Sequence, residues 1–273
     1  MLAKTFTVGN FKGGVGKTKI TTMLAYDNAR INKKKTLVID IDPQANASDA
    51  LARTANLDHI DKTIVDGLND GDLTTCITSI LPNLDLIACN TQFTSFDKYV
   101  IEGFTDEKDR VSVLAKLIKP LKPLYETIYI DVPPTISVYS DNAMAASDYS
   151  IIAFQTVEES LSGVRKYVGY QNFMVEAYGI NLQVIDILPC MLTADDKLDY
   201  EILDEARKEF GDAVSDTVIN FQKRLKRYSR DGISLKRHKN GNIDQWDYKA
   251  HEKFIDILHE IESRDAYINS SVG

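Results

Sequence analysis

Apolar residues along the chain fall in short continuous runs separated by longer segments of helical period. Thr5-Phe6-Thr7-Val8 is the first run, and a helical pattern follows from about Lys17 to Ile31. Thr36-Leu37-Val38-Ile39-Asp40-Ile41-Asp42, Leu84 to Cys89, Thr127 to Pro134 and Tyr149 to Gln155 have the length and β-branched content of strands buried on both faces. Helices are predicted over Val111 to Ile118, stopped by Pro120; over Leu161 to Tyr178, closed by Gly179; and over Tyr200 to Phe210, followed by Gly211. Further strands are expected at Leu182 to Met191 and Val214 to Ile219, and a last helix at about Tyr248 to Ile261. Residues 47–72 are polar and mixed, which suits short helices, and 91–110 carry no clear period and read as a surface excursion. Strands alternating with helices imply an α/β fold, a mostly parallel twisted sheet flanked by helices. In such sheets ligands sit at the carboxyl ends of the strands.

The first of those ends carries Gly9-Asn10-Phe11-Lys12-Gly13-Gly14-Val15-Gly16-Lys17-Thr18. Strand, glycine-rich loop and helix are the context of a phosphate-binding loop: glycines let several backbone N–H groups face one anion, and the helix dipole adds to that field. Lys17 is placed to reach the β- and γ-phosphates, and the Thr18 hydroxyl to bind Mg²⁺. The match to G-x-x-x-x-G-K-[ST] is incomplete, since Phe11 stands at the first glycine and an extra lysine, Lys12, precedes the double glycine. Two further strands end in carboxylates, Asp40 and Asp42 on one and Asp131 on the other. Asp40 and Asp42 are two apart and so share a face, and paired carboxylates repel unless a cation lies nearby.

The variant K-G-G-x-G-K-T resembles the deviant Walker A loop of the ParA/MinD family of dimeric ATPases, and I-D-I-D-P-Q-A-N resembles that family's D-x-D-P-Q-G-N motif, with Ala45 where glycine is usual. Leu161-Ser162-Gly163 falls where the family has a short L-x-G segment, and Arg207 to Gly211 with Val218-Ile219 fits its C-terminal half. The resemblance implies a P-loop NTPase of the deviant Walker A type, with ATP and Mg²⁺ as ligands. It places Lys12, Gly13, Gly14, Val15, Gly16, Lys17, Thr18 and Lys19 around the nucleotide and Thr18, Asp40, Asp42 and Asp131 around the metal. Asp131 takes the part of the Walker B carboxylate, Asp42 orients the attacking water, and Lys12 crosses a dimer interface to the partner's ATP. Lys19 in place of threonine, Val157 in place of an acid, and Ile219-Asn220 without the usual proline depart from the pattern.

Composition narrows the classes. The chain has 273 residues, 44% hydrophobic and 26% charged, with a net charge of −8. These are globular values, and 1–273 is expected to be one domain without a separate N-terminal DNA-binding domain. No apolar run approaches the length of a membrane span, and the first residues read as a strand without the apolar core of a signal peptide, so neither is expected. Cys76, Cys89 and Cys190 are far apart, with no metal spacing, and are expected as buried thiols. An acidic chain binds nucleic acid only through a local patch. Lys223, Arg224, Lys226, Arg227, Arg230, Lys236 and Arg237 supply one, opposed within the stretch by Asp231 alone. With this patch, the resemblance implies a cytoplasmic, nucleoid-associated partition ATPase. By the same resemblance it is expected to dimerise on ATP, to hold double-stranded DNA without sequence preference, and to hydrolyse ATP slowly until a ParB-like centromere-binding adaptor stimulates it. The alternative is a MinD-like membrane-positioning ATPase, which needs an amphipathic C-terminal anchor. The tail Arg264 to Gly273 has neither an apolar nor a basic face.

Overall fold

The computed structural model describes residues 2–193, 195–237 and 241–271. The last two residues of the tail just considered lie outside the described residues. The elements, in chain order, are β1 (Lys4–Gly9), α1 (Lys17–Arg30), β2 (Thr36–Asp40), α2 (Asn46–Ala55), α3 (Ile64–Asp70), β3 (Ile77–Leu81), β4 (Leu84–Ile87), α4 (Phe96–Gly103), α5 (Glu107–Val111), α6 (Val113–Ile118), β5 (Thr127–Asp131), α7 (Val138–Ala146), β6 (Tyr149–Gln155), α8 (Glu158–Tyr178), β7 (Gln183–Leu192), α9 (Lys197–Phe210), β8 (Ile219–Asn220), α10 (Lys223–Asp231) and α11 (Gln245–Ser271).

The strands form one sheet in the order β3-β4-β2-β5-β1-β6-β7-β8. All neighbours are parallel except the β3–β4 edge pair. The expected layered α/β architecture is therefore present. β1, β2, β5 and β6 are buried almost throughout, as their apolar runs require. α1 and α11 pack with the face of the sheet that carries Phe6, Val38 and Tyr129. Leu37, Ile39, Ile128 and Ile130 point the other way, into a second core with α3, α4, α6 and α7. This is the alternation of strand side chains, shared between two helical layers.

Register decides where the chemistry lies. Asp40 pairs with Asp131 across β2 and β5, and Val8 pairs with Asp131 across β1 and β5. The carboxyl ends of three adjacent strands thus bring the glycine-rich loop and both acidic motifs to one place.

Several predicted boundaries move. β8 is two residues, and Val214 makes an isolated bridge to Ile187 in place of the expected strand from Val214. The last helix begins earlier and runs further than 248–261, because Asp244 accepts from the Trp246 and Asp247 amides and starts it at Gln245. β3 and α7 lie where the sequence pattern predicts no element. Residues 91–110 hold α4 and part of α5, with Phe93, Phe96 and Val100 buried under α7, and so are not a plain surface excursion.

Candidate nucleotide site

The loop between β1 and α1 is held by contacts from far along the chain. The Asn10 carboxamide donates to the Ala153 carbonyl at 2.7 Å and accepts from the Lys12 amide at 2.8 Å. Gly163 permits this, because a Cβ there would stand 2.7 Å from the Asn10 Oδ1. The Cys190 thiol donates to the Val15 carbonyl at 3.0 Å. Gly14 and Gly16 have φ of 77° and 94°, the left-handed region that a side chain disfavours. α1 begins at Lys17 with no side-chain cap on its first amides. These free N–H groups are what an anion would meet.

Lys17 is 7% exposed, and its ammonium donates to the Lys12 carbonyl at 3.1 Å. Burial lowers its pKa, and the fields of Asp131 and Asp42 oppose that. Thr18 Oγ1 donates to Asp131 Oδ2 at 2.7 Å, and Thr21 Oγ1 to Asp131 Oδ1 at 3.2 Å. Asp131 and Asp40 are both fully buried. Burial is the first cause that raises both acids above the ordinary carboxylate range; the mutual repulsion of strand-end carboxylates adds to it.

Asp40 and Asp42 have different duties. Asp40 accepts from the Asp42 amide at 3.0 Å and from the Ser48 amide and hydroxyl at 2.8 and 2.7 Å, so both of its oxygens are spent on the turn and on α2. Asp42 gives one oxygen to the Gln44 amide at 2.9 Å and faces a cavity of about 550 Å³. Ala45 sits at φ 54°, which explains the usual glycine at that place. Lys17, Thr18, Lys19, Asp42, Asn46 and Arg53 line the cavity. Burial lowers the Lys19 pKa to about 8. Lys12 stands outside the cavity wall, with its ammonium 3.7 Å from Glu159.

The structure therefore brings Gly14, Gly16, Lys17, Thr18, Lys19, Asp42 and Asp131 together, and turns Asp40 towards α2. Among the described residues no group of three or more His, Cys, Asp or Glu is arranged to hold a metal. The oxygen donors present, the Thr18 hydroxyl beside the Asp131 carboxylate, nonetheless fit Mg²⁺, which takes few protein ligands and completes its shell with phosphate and water. The sequence pattern does not mark Asn10, Thr21, Ser48 or Arg53, and it marks Cys190 only as the buried thiol that it is. Asn10, between Gly9 and the double glycine, offered the one local signal.

The family described as AAA domain matches residues 3–184. The chain belongs to this family, in its ParA/MinD branch. It is 29% identical over 226 residues to the sporulation initiation inhibitor protein Soj of Bacillus subtilis, covering 82% of this chain and 87% of that one. It is 28% identical over 234 residues to the chromosome-partitioning ATPase Soj of Treponema pallidum, covering 86% and 89%. Its fold superposes with a TM-score of 0.76 on a putative plasmid partition protein of Borrelia burgdorferi bound to AMPPNP, at 21% identity over 96% of this chain and 99% of that one.

The basic stretch of this ParA/MinD-type chain is the helix α10. Lys223, Lys226, Arg227 and Arg230 are exposed on it, as are Lys236 and Arg237 after it. Tyr228 and Leu225 are buried beneath. Arg224 does not join the exposed set. Its guanidinium pairs with Asp247, whose side chain is fully buried, and with Asp244 at 3.2 Å. The patch is thus opposed by two carboxylates from beyond the stretch, and Arg224 ties α10 to α11.

Proposed function

We propose that this chain is a DNA partition ATPase: it binds ATP with Mg²⁺, dimerises around it, holds duplex DNA without sequence preference, and hydrolyses ATP slowly under stimulation by a ParB-like adaptor. The observation that carries this reading is that one cavity is walled by the deviant loop, by Asp42 and by Ser229 of the basic helix α10. Nucleotide and polyanion sites are therefore neighbours. The relatives named above as chromosome-partitioning and plasmid partition proteins support the biological setting, and a nucleoid location would follow from DNA binding. No helix among the described residues is long and apolar enough to cross a membrane.

In this reading the uncapped N–H groups of α1 and the Lys17 ammonium hold the β- and γ-phosphates. Mg²⁺, when bound beside Thr18 and Asp131, offsets phosphate charge. Asp42, tethered through Gln44, orients the attacking water. Lys12, projecting from the loop outside the cavity, supplies charge to the partner's phosphates. The test is calorimetric titration of ATP into Lys17→Ala, which is expected to lose binding; near-normal affinity in that variant overturns the assignment.

A further inference from the structure

α2 runs from the acidic motif to the basic helix, and both of its ends are fastened. At its start, Ser48 binds Asp40 through amide and hydroxyl, and Asn46 lines the nucleotide cavity. Along the same wall lie Asp49, Ala50 and Arg53. At its end, Arg53 Nη1 donates to the Ser229 carbonyl of α10 at 2.8 Å, while Nη2 donates to Asp49 at 3.0 Å. Thr54 Oγ1 accepts from the Ile233 amide at 2.9 Å and donates to the Ala50 carbonyl at 2.7 Å.

A second observation shows how tightly the two helices meet. Gly232, which caps α10, has φ 83°, and a Cβ there would stand 2.7 Å from the Arg53 carbonyl oxygen and 2.8 Å from the Thr54 Cα. Backbone lies on backbone, with no side chain between to absorb a movement. α2 is a short helix of ten residues, and over such a length a helix moves as a rigid body.

We propose that α2 is a coupling rod and that Arg53 is the positioning residue at its far end, which makes the placement of α10 depend on the nucleotide. Arg53 lines the cavity, and its guanidinium is divided between the Asp49 carboxylate and the Ser229 carbonyl. An anion in the cavity competes for it, because charge-assisted hydrogen bonds are the stronger kind. Any shift of Asp40 or Asn46 also reaches α10 through the Thr54–Ile233 bond and the Gly232 contact. The inference rests on the ATP reading of the cavity, so binding of the analogue to each variant is measured by calorimetry alongside the exchange, and a failure to bind is told apart from a failure to couple.

The experiment is amide hydrogen exchange over residues 223–234, at saturating non-hydrolysable ATP analogue with Mg²⁺ and without it. Wild type, Arg53→Ala, Thr54→Val and Thr54→Ser are compared. Couplings between sites are typically fivefold or more, so the wild-type exchange rates are expected to change by about fivefold between the two states, and those of Arg53→Ala and Thr54→Val by less than about twofold. Thr54→Ser keeps the hydroxyl and is expected to respond as wild type; its response also shows that the loss in Thr54→Val is not a general weakening of the fold. Wild-type rates that ignore a bound analogue, or a full response in both Arg53→Ala and Thr54→Val, overturn the proposal.

Discussion

Arg224→Ala separates fastening from DNA contact within the basic helix. Arg224 binds Asp247, and Asp247 also accepts from the Tyr228 hydroxyl and, at 2.8 Å, from the Lys236 amide. The Asp247 side chain is 0% exposed and that of Arg224 14%, so this is a buried pair. Removing one partner of a buried pair leaves an uncompensated charge and costs about 3–5 kcal/mol. For a chain of this length each kcal/mol moves Tm by roughly 2–4 °C, so the melting point should fall by on the order of 10 °C. Burial would raise the Asp247 acid, but the Arg224 and Tyr228 hydrogen bonds outweigh it and hold the carboxyl below the ordinary range. A carboxyl held low contributes stability that is present above the ordinary carboxylate range and is lost as pH falls through its folded value. The deficit of Arg224→Ala should therefore be largest at neutral pH and shrink in acid, where Asp247 takes up a proton. Lys226→Ala, at an exposed position on the same helix, should stay within about 0.5 kcal/mol of wild type. Urea titrations of both variants at neutral and acid pH provide the measurement. Equal stability of the two variants at neutral pH would refute the fastening role, and recovery in Arg224→Ala/Asp247→Asn would confirm that the stranded charge is the cause.

Three further outcomes are expected. Asp42→Ala should keep ATP and lose phosphate release, accumulating a nucleotide-bound dimer in light scattering; undiminished turnover would mean another group orients the water. Lys12→Ala should weaken analogue-dependent dimerisation, since Lys12 projects from the loop outside the cavity; unchanged association would remove the cross-subunit role. Gly9→Ala should destabilise the fold by about 1–3 kcal/mol in thermal melts, because its Cβ would fall 2.0 Å from the Tyr167 hydroxyl oxygen; a wild-type Tm would show that Tyr167 yields freely.

What was legible in the sequence was local. The glycine-rich loop, the strand-end aspartates and the buried parallel strands each announce themselves within about ten residues, and strand register then brings Asp40, Asp131 and the loop together without further information. What was not legible depends on partners far along the chain. Gly163 reads as part of a short motif until Asn10 is found against it. Arg224 looks like its basic neighbours, and only the approach of Asp247 turns it into a fastener. The first turn of α7 is capped by Ser137 and Ser140 acting on each other, a pair that reads equally well as polar loop. β3 is a partly exposed edge strand with mixed residues, and so lacks the apolar run that marked the central strands.

The central claim is that an ATP-bound form of this protein holds arbitrary DNA through α10. The direct measurement is fluorescence anisotropy of a random-sequence duplex across a salt series, with and without the ATP analogue. Wild type is compared with a variant in which Lys223, Lys226, Arg227 and Arg230 are alanine. The prediction is tighter binding with the analogue, and in the variant a flatter plot of log affinity against log salt, by about 0.9 for each phosphate that is no longer neutralised. A variant that binds the duplex with the wild-type affinity and salt slope contradicts the account.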